Sequence, residues 1–174
     1  MPALTPAIPL SDGKVTLRAW HEADASFYAQ AIVDPEIQRW TTERPDLTEE
    51  DARRAIARHL TEARNVSLAI TDAVTGTLAG NVTMISTDWS SGIAEAMYWL
   101  DVRWRGRGFT AAALRLLCDW SFHTLSLRRV ELVIDPGNVA SRRAADAAGF
   151  RPDGTVPPRK RGGPELVRYA LESR

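Results

Sequence analysis

The feature that most constrains the fold of this chain is a strand, a glycine turn and a helix in direct succession, at residues 95–122. Residues 95–101 form an apolar and aromatic run that predicts a strand. Gly106 and Gly108 predict a tight turn, because glycine adopts left-handed backbone conformations without strain. The helix is predicted from an apolar stripe at helical spacing, formed by Leu114, Leu117, Cys118 and Phe122. The chain is therefore expected to fold as a sheet with helices packed on it.

The glycine turn also predicts an anion site. The first turn of a helix has N–H groups without partners and the positive end of the helix dipole. Gly106 and Gly108 have no Cβ, so a ligand can approach the backbone closely. Arg103, Arg105 and Arg107 add positive charge around the turn. A phosphate group is the most natural ligand, and a surface turn that only caps a core helix is the alternative.

Several segments of this chain resemble those of a known enzyme family. Residues 103–108, Arg-Trp-Arg-Gly-Arg-Gly, resemble the acetyl-CoA pyrophosphate loop of the GNAT family of N-acetyltransferases. Residues 138–150 contain an Asn, a Ser on a short predicted helix and then Gly-Phe, and they resemble the family's next motif. Residues 15–20 and the pair Tyr98-Trp99 resemble the Rim-type branch, which acetylates the N-termini of ribosomal proteins.

The resemblance implies an α/β, GNAT-like fold with a central, mostly antiparallel sheet and helices on both faces. The sheet would be splayed between the strand ending at Leu100 and the one starting at Arg129, with acetyl-CoA in the splay. The residues themselves predict the order strand, helices, three strands, helix, strand, helix and two strands, with Asp24 capping the first helix. Residues 1–12 are predicted to be a disordered lead-in, and residues 13–174 a single acetyltransferase domain.

The resemblance further implies which residues hold the co-substrate. Acetyl-CoA would be bound by Trp99, Leu100, Arg103, Arg105, Gly106, Arg107, Gly108, Phe109, Thr110, Asn138 and Ser141. Asn138 would bond the pantetheine amides. Ser141 would meet the CoA sulfur and protonate or hydrogen-bond the leaving thiolate, although it could instead simply cap the short helix.

Glu95 is the acid that the sequence places best for catalysis. It lies on the strand predicted to face the splay, about one strand length before the glycine turn. An amine must lose a proton to attack a thioester, and Glu95 could accept that proton directly or through a water. The alternative is an edge-strand carboxylate in a salt bridge, and Glu131 and Asp135 are weaker candidates. Tyr98 is either a second candidate proton donor or a packed strand aromatic.

Two other functions fit parts of the sequence. Residues 106–111 match the G-x-G-x-x-A dinucleotide fingerprint, and Asp135 stands where a ribose-binding acid is expected. That fingerprint normally opens a doubly wound parallel sheet, whereas a predicted antiparallel hairpin precedes it here. A non-catalytic acyl-CoA-binding module on the same fold would keep the loop and Asn138, but it would need neither Glu95 nor Ser141.

Composition bears on several further classes. Lys+Arg and Asp+Glu are 22 each, and this zero net charge argues against general nucleic-acid binding. No apolar run approaches the roughly 20 residues of a membrane span, and cytoplasm is the default location. Cys118 is predicted to be a core residue, which favours direct transfer over an acyl-enzyme. His21, His59 and His123 are too scattered to suggest a metal site. A homodimer stays open.

The predicted acceptor is a primary amine, with the N-terminus of a peptide or protein preferred to a lysine side chain. An α-amino group has a pKa near 7.7–8.0 and costs about 1 kcal/mol to deprotonate at neutral pH, whereas a lysine near 10.4 costs about 4–5 kcal/mol. A small-molecule amine is the main competitor, because three alanines stand at residues 111–113, where relatives of this branch commonly carry a Glu. Trp40 and Trp89 are candidates for the wall of the acceptor pocket.

Overall fold

The computed structural model describes residues 6–59, 65–159 and 162–173. Within these ranges the strands are β1 (Leu10–Ser11), β2 (Val15–Ala19), β3 (Val66–Asp72), β4 (Leu78–Asp88), β5 (Ile93–Leu100), β6 (Arg129–Ile134), β7 (Arg151–Val156) and β8 (Leu166–Glu172). The helices are α1 (Ala25–Ile32), α2 (Pro35–Trp40), α3 (Glu49–His59), α4 (Phe109–Thr124) and α5 (Val139–Ala148). Short 3₁₀ turns lie at Glu22–Asp24 and Val102–Trp104. Apart from β1, this order is the one that the sequence predicts.

The strands form one mixed sheet in the order β1-β2-β3-β4-β5-β6-β8-β7. Neighbouring strands are antiparallel except β5 and β6, which the α4 crossover makes parallel. These two strands pair at Ile93–Arg129, Ala94–Val130 and Glu95–Glu131, and beyond that point they part. The predicted fold, a mostly antiparallel sheet splayed between β5 and β6, is confirmed. The hairpins on either side of the splay exclude the doubly wound sheet of a dinucleotide enzyme.

Helices α4 and α5 cover one face of the sheet. Leu114 and Leu117 of α4 are 0% exposed and belong to the larger apolar core. Burial of each leucine contributes about 1.5–3 kcal/mol. The three alanines at residues 111–113 are also buried, and their small side chains let α4 lie close to the sheet. The packing fixes the crossover helix so that its N-terminus lies beside the parted strands.

The opposite face carries a second apolar cluster, which α1, α2 and α3 build with strand residues. Trp20 and Tyr28 meet edge-on with ring centroids 5.2 Å apart, and Tyr28 and Trp99 do so at 5.3 Å. Edge-on aromatic pairs are favourable because the positive ring edge meets the negative ring face. Ile37 of α2 is buried in the same cluster. This packing holds α2 over the end of β5 that faces the splay.

The Asp24 side chain does not cap α1, contrary to the prediction. Its carboxylate accepts two bonds from Arg18, at 2.7 and 3.1 Å, and one from the backbone N–H of His21 at 2.8 Å. Burial alone would raise the pKa of Asp24, but the bonds from Arg18 and His21 hold it below its usual range. Asp24 therefore fastens β2 to the turn that leads into α1.

Other differences from the prediction concern element boundaries. Leu10 and Ser11, within the predicted lead-in, pair with Leu17 and Thr16 of β2. The helix predicted to run from Glu49 to about residue 63 begins as expected, but residues 60–64 lie outside the described part. The strand predicted at 153–156 begins two residues earlier, because residues 151 and 152 also pair with β8.

Candidate active site

A groove runs between the parted ends of β5 and β6. Its volume is about 600 Å³, within the range of about 300–1,000 Å³ typical of small-molecule sites. Its walls come from β5, β6, α2, the glycine turn with the start of α4, and α5. The predicted residues that line it are Glu95, Tyr98, Trp99, Leu100, Arg105, Gly106, Gly108, Phe109, Thr110, Asn138 and Ser141. Topology therefore brings together two motifs that lie about 30 residues apart.

The glycine turn leaves the N-terminus of α4 open to the groove. Gly106 and Gly108 have φ values of +71° and +76°, a conformation that L side chains rarely adopt. Gly108 is the N-cap of α4, and no side chain bonds the first-turn N–H groups from that position. A Cβ added to Gly106 would meet nothing within 4 Å. Free N–H groups, a helix dipole and open space suit an anion.

The three arginines around this turn have different partners. Arg105 donates to the carbonyl of Leu100 at 2.9 and 3.1 Å and to Asp34 at 2.8 Å, so it ties the turn to the start of α2. Arg103 pairs with Asp101. The Arg107 guanidinium lies 5.1 Å from the ring centre of Trp104. Of the three, Arg105 lines the groove, whereas Arg103 and Arg107 do not.

Lys14 is a further cation near this turn, and the sequence does not predict it. It precedes β2, and its Nζ lies 3.2 Å from the position that a Cβ on Gly108 would occupy. Lys14 therefore adds positive charge at the N-terminus of α4. No local sequence signal points to it, since packing of α4 across the N-terminal strands is what brings Lys14 to a turn more than 90 residues away.

Tyr98 and Ser141 form a hydroxyl pair on the α5 side of the groove. Their oxygens are 2.5 Å apart. Asn138 is the N-cap of α5, because its Oδ1 accepts the N–H of Ser141 at 3.0 Å. Ser141 is thus not the helix cap, and its hydroxyl faces Tyr98. Burial raises the pKa of Tyr98 to about 12, although the bond with Ser141 acts in the opposite direction.

Glu95 lies on the other face of β5, because residues 95 and 98 of a strand point to opposite sides. Its carboxylate forms an ion pair with Arg159, from the segment between β7 and β8. Glu131, its partner on β6, instead accepts from Arg129 at 2.7 Å. Asp135 accepts the N–H of Gly137 at 2.8 Å and lines the groove. Glu95 and Asp135 are therefore the predicted acids that reach the groove.

A smaller cavity of about 170 Å³ continues the groove on the Glu95 side. Trp40, Met97, Val133 and Arg159 line both spaces. The Trp40 ring also approaches the turn after β6, 3.8 Å from the position that a Cβ on Gly137 would occupy. Trp40, which the sequence suggests as a wall of an acceptor pocket, therefore lines both cavities. Trp89 packs against the larger core and is not part of this wall.

Other features bear on the chemistry. Burial raises the pKa of the Cys118 thiol, and Cys118 is fully buried within α4. A buried neutral thiol is not a nucleophile. Among the described residues, no three His, Cys, Asp or Glu side chains are grouped so as to hold a metal ion. No helix in the described ranges combines the length and apolarity needed to cross a bilayer.

Comparison with known proteins identifies the fold. The "Uncharacterized N-acetyltransferase p20" of Bacillus licheniformis is 29% identical over 150 residues, 82% of each chain. The ribosomal-protein-S5-alanine acetyltransferase from Vibrio fischeri superposes with a TM-score of 0.82 at 18% identity, covering 95% of this chain and 96% of that one. The spermidine N-acetyltransferase from Vibrio cholerae, in complex with CoA and spermine, gives 0.80 at 20% identity, covering 92% and 96%.

The two solved structures show the same fold, and one of them has CoA bound. The family model of the acetyltransferase (GNAT) domain matches residues 14–151, which include both glycine and asparagine motifs. The family resemblance is confirmed: the chain belongs to the GNAT acetyltransferases and is an N-acetyltransferase that takes its acetyl group from acetyl-CoA.

Proposed function

We propose that the protein acetylates the α-amine of a peptide or protein N-terminus by direct transfer from acetyl-CoA. The observation that carries this proposal is the arrangement of polar groups around β5. Glu95 lies on one side of the parted sheet, and the Tyr98–Ser141 pair lies on the other. A thioester in the groove between them would have a base on the acceptor side and hydroxyl donors on the thiol side.

The groove fits acetyl-CoA by its own features. The open N-terminus of α4 suits the pyrophosphate. Beyond Glu95 and Glu131, the facing edges of β5 and β6 are no longer ladder partners, so their backbone N–H and C=O groups are available to the pantetheine amides. The Nδ2 of Asn138 has no hydrogen-bond partner among the described residues, so it is available to donate to the pantetheine. These contacts need no metal ion.

In the proposed reaction, the amine nitrogen attacks the thioester carbonyl carbon, the C–N bond forms and the C–S bond breaks. Glu95 accepts the proton that the nitrogen loses, directly or through a water. Tyr98, with a pKa near 12, does not transfer its proton to a thiolate whose thiol has a reference pKa of about 8.5. The Tyr98–Ser141 pair therefore stabilises the departing sulfur by hydrogen bonding, and the sulfur leaves as the thiolate.

The preference for an α-amine rests on the free-energy cost of deprotonating the acceptor. Glu95 is the proposed base. Deprotonation at neutral pH costs about 1 kcal/mol for an α-amine and about 4–5 kcal/mol for a lysine side chain, so one carboxylate suits the α-amine better. The similar solved structures include both a ribosomal-protein and a spermidine acetyltransferase, so a small amine is the competing acceptor.

Free peptide N-termini are expected to react at least about tenfold faster, in kcat/KM, than the same peptides blocked at the N-terminus and bearing lysine, given the difference in deprotonation cost. The assay measures free thiol release from acetyl-CoA with both peptide sets and with a panel of small amines. Equal rates on the blocked lysine peptides would refute the α-amine preference. Activity confined to small amines would assign the enzyme to the competing acceptor class.

Ser141→Ala and Tyr98→Phe are each expected to lower kcat about tenfold, the value of one hydrogen bond to a charged group. The double variant should lose little more than Ser141→Ala alone, because the two hydroxyls act through their mutual contact. Acetyl-CoA affinity is measured by calorimetry beside kcat. Tyr169→Phe is the control, a buried tyrosine on β8 outside the groove. Multiplicative losses in the double variant would show that the hydroxyls act independently.

A further inference from the structure

Arg159 is a partly exposed cation that lines the acceptor end of the groove. Its side chain is 43% exposed and pairs with Glu95, which is 22% exposed. It lines both the groove and the adjoining cavity, together with Trp40 and Met97. A guanidinium presents five donors in a planar fork that matches a carboxylate. Arg159 is therefore ion-paired with the carboxylate that the proposed reaction requires as its base.

The other carboxylates at this end already have partners within the protein. Glu36 accepts the indole N–H of Trp40 at 2.9 Å and lies 3.8 Å from Arg39. Asp135 accepts the N–H of Gly137. A second positive charge on the acceptor would have to compete with these protein partners for the carboxylates, and the Arg159 guanidinium would repel it. A negative charge on the acceptor could instead accept hydrogen bonds from Arg159, which is partly exposed.

We infer that Arg159 selects acceptors that carry a carboxylate next to the reacting α-amine, such as peptides with Asp or Glu at the second position. This inference rests on the proposed function and names its substrate class. When the acceptor binds, Arg159 exchanges the Glu95 carboxylate for that of the acceptor. The guanidinium therefore stays paired throughout the exchange, and the carboxylate that loses its partner is Glu95. Glu95 is then released to accept the amine proton.

The test compares three matched peptides that begin Ser-Asp, Ser-Asn and Ser-Lys. The wild-type enzyme should prefer Ser-Asp to Ser-Asn by about tenfold in kcat/KM, through a lower KM, since one hydrogen bond between charged groups is gained. Arg159→Gln should erase this preference, and Arg159→Glu should favour Ser-Lys. Arg168→Gln is the control, since Arg168 on β8 is also ion-paired but lies outside both cavities. It should leave the order unchanged.

Other outcomes separate this inference from the proposed function. Equal wild-type rates on all three peptides would overturn the selection by Arg159 while leaving N-terminal acetylation intact. A uniform loss in Arg159→Gln, with the order preserved, would also overturn it, since Arg159 would then only position Glu95. If only small amines react, the rate on an amino acid is compared with the rate on its amide. A wild-type preference for the amino acid that is lost in Arg159→Gln would support the inference. The same rates on both compounds would refute it.

Discussion

Glu95→Gln is expected to lower kcat about 100-fold or more while leaving the acetyl-CoA dissociation constant unchanged. A positioned general base contributes roughly 10²–10⁴-fold, and the glutamine amide cannot accept the proton. Glu95 lies at the last residue pair before β5 and β6 part, and it lines the groove. Steady-state kinetics with saturating acetyl-CoA, together with calorimetry, measure the two quantities separately.

Glu131→Gln is the matched control for this experiment. Glu131 is opposite Glu95 on the neighbouring strand and on the same face, but it pairs with Arg129 and does not line the groove. Its substitution should leave kcat close to the wild-type value, because Glu131 does not reach the groove. If Glu131→Gln lost activity and Glu95→Gln kept it, the proposed base would be misassigned. Asp135→Asn tests the remaining candidate in the same way.

Gly106→Ala is expected to weaken acetyl-CoA binding about 30-fold, through the loss of a charge-assisted bond of about 2 kcal/mol. The added methyl group meets no protein atom within 4 Å, so its clash is with the ligand. The left-handed backbone at this position adds a stability cost of about 1–2 kcal/mol. Calorimetry gives the affinity, and urea unfolding gives the free energy of unfolding.

Gly76→Ala separates backbone strain from ligand contact. Gly76 has a φ of +72°, nearly that of Gly106, also has open space around its Cβ position, and lies in the β3–β4 turn outside the groove. The two variants should lose similar stability, and only Gly106→Ala should lose affinity. Equal affinity losses would mean that strain is transmitted to the site and that Gly106 makes no direct room for the pyrophosphate.

The parts of the fold that the sequence predicts are those determined by local pattern. The run before Gly106, the apolar stripe through Leu114 and Leu117, and the turn after β6 each show their structure within a few residues. Their order then leaves little freedom, because a single crossover helix between antiparallel hairpins yields one parallel pair. The splay is predicted from the family resemblance alone, and in the structure it is seen as a ladder between β5 and β6 that is three residue pairs long.

Partnerships between distant side chains are what the sequence could not predict. Asn138 caps α5, so Ser141 is left to meet Tyr98. Both Asn and Ser are favoured caps, and only the register of the helix start decides between them. Arg105 lines the groove beside the glycine turn, and its bond to Asp34, 71 residues away, has no signal in the local sequence. The approach of Arg159 to Glu95 depends on how the segment after β7 returns to the sheet.

Because the ladder between β5 and β6 is short, bound acetyl-CoA would itself help to connect the two halves of the sheet. Strands β1–β5 and β6–β8 form two halves of the sheet, and the ladder between them is three residue pairs long. An occupant bonded to both edges completes the missing ladder. Because it binds the native state alone, acetyl-CoA at 100 times its dissociation constant adds about 2.7 kcal/mol to the free energy of unfolding. Once acetyl-CoA is bound, the backbone amide hydrogens of β5 and β6 should exchange with solvent together, as one cooperative unit across both halves of the sheet.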